Sequence, residues 1–75
     1  MMMKRFVQVT QFIRKSDAGE NITQPAMIDI SKIAFFTASS RDLELTYIVF
    51  EGNAEIVIAL PYSKMVEFMM GRDDA

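Results

Sequence analysis

Leu43-Glu44-Leu45-Thr46-Tyr47-Ile48-Val49-Phe50, the break Glu51-Gly52-Asn53, and Ala54-Glu55-Ile56-Val57-Ile58-Ala59-Leu60 together read as a β-hairpin. The first run alternates, with Leu43, Leu45, Tyr47 and Val49 on one face. Glu44 and Thr46 open the other face, but Ile48 and Phe50 close it. On the return run Ala54, Ile56, Ile58 and Leu60 point one way, and glycine in the break supplies the hairpin signature. Strands this apolar on both faces need cover on both.

Downstream, Pro61 ends the hairpin and can open a helix. Tyr62, Met65, Val66 and Met69 then fall at i, i+3, i+4 and i+7, a single apolar stripe. Gly71 is expected as a left-handed stop. A helix of nine or ten residues survives only by packing on the sheet. Upstream, Phe6–Ile13 has strand composition, with Val7, Val9 and Ile13 on one face and Phe6, Gln8, Thr10 and Phe12 on the other. Arg14–Asn21 is polar and reads as a mobile loop. Ile22–Ile30 is open between two readings: a short edge strand stopped by Pro25, or a helical turn begun there. Asp29 or Ser31 can cap a turn into Ile33, and Ile33–Thr37 returns to strand, followed by a polar turn at Ala38–Asp42.

The fold class expected is therefore α+β, mainly β: a three- to four-stranded antiparallel sheet with one C-terminal amphipathic helix on one face. It forms a single domain over 1–75, frayed at 1–4 and 72–75. Pro25, Ile30, Ile33, the 43–60 hairpin and the 62–69 stripe resemble in outline the flagellar proteins of the FlbD type and the sheet part of LytTR-type DNA-binding domains. The Leu-Asn-Gly element of the flagellar family is missing after the first strand, and no function is carried across.

Composition narrows the chemistry. With no histidine and no cysteine, the chain lacks the commonest general base, metal ligand and nucleophile, and every disulfide. Ser63 and Lys64 are adjacent on the expected helix and point apart; Ser39, Ser40, Arg41 and Asp42 are ordinary turn residues. Three glycines cannot build a phosphate cradle. No catalytic residue, metal or cofactor is expected. The absence of cysteine favours the cytoplasm, and no apolar run suits a membrane. At 51% apolar residues and 75 residues in length, more apolar surface is available than so small a core can hide.

The expectation is a regulator that binds and modulates or inhibits a larger cytoplasmic protein machine, such as transcription machinery, in a bacterium or phage. Its partner-binding residues would be Phe68, Met70 and Arg72, with Met3, Lys4 and Arg5 from a frayed tail or added edge strand. The alternative is a nucleic-acid module, with Lys4, Arg5, Arg14 and Lys15 flanking Phe6 and Phe12. The formal charge of −2 weighs against it. A homodimer buried through the sheet is compatible with either.

Overall fold

The computed structural model describes residues 6–40 and 42–71. Five strands and one helix follow in order: β1 (Phe6–Lys15), β2 (Asn21–Asp29), β3 (Ile33–Ala38), β4 (Thr46–Phe50), β5 (Glu55–Ile58) and α1 (Tyr62–Gly71). The five strands form one antiparallel sheet of order β2-β1-β5-β4-β3. The sheet thus has five strands where the sequence suggested three or four.

The extra strand is β2. Pro25 sits in its middle, opposite Thr10. The Thr10 carbonyl accepts from the Ala59 N–H at 2.8 Å, on the side away from β2. Thr10 and Pro25 are therefore a pair that exchanges no backbone hydrogen bonds, and the donor that proline lacks would point off the outer edge. A proline at this parity interrupts nothing, so β2 runs straight through and no helical turn forms.

Arg14–Asn21 is likewise not a loose loop. Lys15 pairs with Asn21, and a five-residue turn closes the hairpin. Its Ser16 N–H donates to the Glu20 carbonyl at 2.7 Å and its Gly19 N–H to the Ser16 carbonyl at 2.9 Å. Gly19 takes φ +87°, which glycine adopts without strain.

β2 reaches β3 through a single 3₁₀ turn, Ile30–Lys32, whose cap is Asp29: its Oδ1 accepts from the Ser31 N–H at 3.0 Å and the Ser31 hydroxyl at 2.6 Å. These strands are opposite edges of the sheet. Crossing four flat inter-strand gaps would take roughly 19 Å, whereas four chain steps span about 14 Å at most. The sheet must therefore roll. Rolling brings Ile28 on β2 into one buried cluster with Ile48 on β4, Ile58 on β5 and Met65 on α1. Among the described residues no helix is long and apolar enough to cross a membrane.

The hairpin forms as expected, turning through Gly52 (φ +88°) and Asn53 (φ +77°). Within β4 the inner face is that of Thr46, Ile48 and Phe50, while Leu45, just before the strand, is buried as well. Thr46 and Ile48 are fully buried and Phe50 packs on the core, while Tyr47 and Val49 are only half-buried and Leu43 stands 77% exposed in the preceding turn. The even parity wins because Thr46 and Ile48 pair with Ile58 and Ile56. The Thr46 hydroxyl is satisfied by the Leu60 carbonyl at 2.6 Å, which removes the objection to burying it. On β1, an irregularity between Phe12 and Arg14 breaks the alternation, so Ile13 leaves the core face and is exposed. Gly71 is the last helical residue and has no positive φ.

Candidate functional site

α1 docks through Met65, which is buried, with Met69 beside it. Tyr62, at the start of the stripe, lies 5.7 Å from the Phe36 ring of β3. That docking turns Lys64 and Phe68 toward β1 across the mouth of the rolled sheet. Between them and β1 runs a groove of about 300 Å³. Val7, Val9, Ile58, Leu60, Met65 and Phe68 are among its lining residues, and Lys64 is the one charged residue there among the described residues.

The groove exists because β1 outruns its neighbour. β5 ends at Ile58, and its register with β1 is the single pair Gln11↔Ile58. After the Ala59 bond to Thr10 the chain bends at Ala59–Leu60 and enters α1 at Tyr62. Backbone polar groups of successive strand residues face opposite edges. Since the Thr10 carbonyl faces β5, the N–H and C=O of Gln8 face the same way, into a lane where, among the described residues, no strand continues. Val7 and Val9 face β2 instead, opposite Ile28 and Ala26. The result is an open strand edge set in an apolar groove, and pairing such an edge with a further strand satisfies groups that otherwise depend on water.

Electrostatics adds one feature. Lys64 Nζ lies 3.9 Å from Glu67 Oε1, with the two side chains 63% and 71% exposed. So exposed a pair on one helix is worth only about 0.3–0.5 kcal/mol, which leaves the ammonium free to meet another anion.

The partner residues expected from the sequence are divided by the structure. Phe68 is 38% exposed and lines the groove, whereas Met70 is 67% exposed, does not line it, and lies on a different face of α1. Met3, Lys4, Arg5 and Arg72 lie outside the described residues. Val7, Gln8, Thr10, Leu60 and Lys64 had no place in the sequence-based set, because the groove depends on where β5 stops beside β1. The sequence signal was the Leu60-Pro61 step, which fixes that stop.

Of the nucleic-acid set, Phe6, Phe12, Arg14 and Lys15 fall among the described residues, and Phe6 and Phe12 share the outer face of β1. Phe6 is 54% exposed on the outer face, beside Met27 at 60%, and Phe12 is half-buried six residues along the same face. Arg14 Nη1 donates to the Lys15 carbonyl at 3.2 Å, and Lys15 Nζ pairs with Asp42 at 3.5 Å. Both described cations of that set thus have local acceptors.

A second hollow, shallower, is lined by Thr37, Ala38, Ser39, Ser40, Tyr47 and Val57. There the Tyr47 hydroxyl donates to Glu55 Oε1 at 2.6 Å. The carboxylate holds the phenol above its ordinary pKa of 10.0, first through that hydrogen bond and then through desolvation and like charge. Among the described residues no group of three or more acidic side chains is placed to hold a metal ion.

The chain matches no family model, no curated protein and no solved structure.

Proposed function

We propose that this chain is a non-catalytic interaction module that holds a segment of a larger protein in the groove between β1 and α1. The observation that carries this reading is the groove's makeup: an apolar lining, with Phe68 partly exposed and Lys64 as the single charge among the described residues. Grooves of this kind, mostly apolar with a few convergent polar groups, are where proteins take up ligands. A compact chain lacking histidine and cysteine suits a role by occupancy, as a regulator that changes a larger machine by covering part of it.

The test is affinity capture with three forms of the protein, after nuclease treatment and a high-salt wash. The wild type is expected to retain one protein in near-stoichiometric amount. Phe68→Asp should lose it while keeping a native circular dichroism spectrum. Leu43→Asp, at an exposed apolar site away from the groove, should keep it. Retention of nucleic acid alone, before nuclease and salt, would instead move the function to the β1 outer face with Phe6 and Phe12. Equal capture by Phe68→Asp and wild type would exclude the groove.

A further inference from the structure

We infer that the groove's occupant is an extended segment of another protein that adds to β1 as a strand, carries apolar side chains at alternate positions and places a carboxylate at Lys64. The inference rests on the interaction-module reading above and specifies the chemistry of its partner.

Three features select this occupant. The first is the backbone. Gln8 turns both its N–H and its C=O into the lane that β5 vacates, and the lane is continuous with a real strand pair at Gln11↔Ile58 and the 2.8 Å bond from Ala59 to Thr10. An occupant in that lane extends an existing ladder, and only an extended backbone offers the complementary donor and acceptor at the right spacing. A helical occupant has its backbone groups internally paired and would leave Gln8 unsatisfied.

The second feature is the lining. Val7 and Val9 flank Gln8 and turn their side chains to the rolled interior, where Met65 and Phe68 of α1 face them. A strand beside β1 alternates its own side chains in the same way, so every second one meets that apolar wall. The third is charge. Among the described residues Lys64 is the only charged one lining the groove, and its contact with Glu67 is long and exposed. An acidic side chain is therefore favoured on the occupant and a basic one disfavoured.

Pro25 in β2 shows how the edge can be blocked without harm to the fold. It sits where its missing N–H would face outward, and β2 pairs with β1 on both sides of it. Gln8→Pro would do the same on the groove side of β1: it removes the lane-facing donor and leaves the Val7 and Val9 pairings with β2 in place.

The probe is a capped peptide alternating valine with threonine and ending in glutamate, titrated into the full chain with amide hydrogen exchange followed by NMR. In the free protein the Gln8 amide should exchange fast and the Val7 and Val9 amides slowly. Saturating peptide should slow Gln8 exchange by roughly tenfold or more. Gln8→Pro, with its native circular dichroism confirmed, should show no saturable binding. Lys64→Glu should weaken binding by about fivefold, the size of an exposed charge contact. N-methylating the peptide amide that pairs with Gln8 should abolish binding even if Gln8→Pro does not fold.

Binding that leaves Gln8 exchange unchanged, or equal binding of the N-methylated peptide, overturns the strand assignment. So does a melting temperature of the peptide-free protein that rises with protein concentration together with slow Gln8 exchange, because a second copy then fills the lane. Capture that is sensitive to Phe68→Asp alongside any of these results keeps the interaction module and discards only the added strand. Loss of that sensitivity discards the module itself.

Discussion

Tyr47 shows how a single contact on the outer face ties two strands together. Tyr47 pairs with Val57 across the hairpin, and its hydroxyl reaches diagonally to Glu55 at 2.6 Å. The bond needs the phenol protonated, and the raised pKa says that folding favours that form. A group whose pKa is raised in the folded state contributes its stability below the unfolded value, near pH 10, and loses it as pH climbs through the folded value. Glu55→Gln is expected to bring the Tyr47 ionisation down toward the ordinary range, read from the ring resonances in an alkaline NMR titration. An identical titration in both proteins would refute the contact. Thr46 teaches the opposite lesson about residue-level reading. A threonine in an alternating strand is naturally placed outward, yet it is fully buried because its hydroxyl finds the Leu60 carbonyl. That partner is fourteen residues away, and local pattern contains no trace of it.

At the scale of elements, the hairpin and helix were legible because their signals are local. Gly52 and Asn53 adopt positive φ at the expected turn, and the i, i+3, i+4, i+7 stripe does place Met65 in the core with Met69 and Val66 partly covered. β2 was only half legible: an edge strand from Ile22 was one of two readings, but proline reads as its end until the partner's parity is known. The same parity gives a prediction. Pro25→Val restores an N–H on the outer edge of β2 without touching the pairing to β1, so the fold should persist with a stability change within about 1 kcal/mol. The unblocked edge should then self-associate, seen as a higher apparent mass by sedimentation at high protein concentration. Unchanged sedimentation would mean that Pro25 does not guard this edge. The register irregularities near Ile13 and between Ile33 and Phe35 were equally out of reach, because a bulge is a property of two strands and not of one.

At the scale of the molecule, four residues hold the rolled sheet shut: Ile28, Ile48, Ile58 and Met65, from three strands and the helix. Met65 alone brings α1 into that cluster as a buried residue. Met65→Ala is therefore expected to cost about 2–5 kcal/mol, a large fraction of what so small a domain possesses. Helix and sheet should be lost in one transition, with far-ultraviolet circular dichroism and tyrosine fluorescence giving coincident denaturation curves. A helix that melts ahead of the sheet would show that α1 is an appendage, and the groove with Phe68 and Lys64 would then have no fixed wall.

Sequence by itself determined which segments could be strands, that the chain would end in an amphipathic helix, and that histidine and cysteine chemistry was closed to it. These follow from side-chain type and from periods of two and 3.6 residues, which act over a few neighbours. Tertiary structure decided which face of β4 is inside, that β2 runs on through Pro25, and that the sheet rolls. It alone decided that β1 extends past β5 to leave the Gln8 edge open beside α1. Those outcomes depend on strand order and relative strand ends, set by pairings between residues far apart in the chain, which no local period encodes.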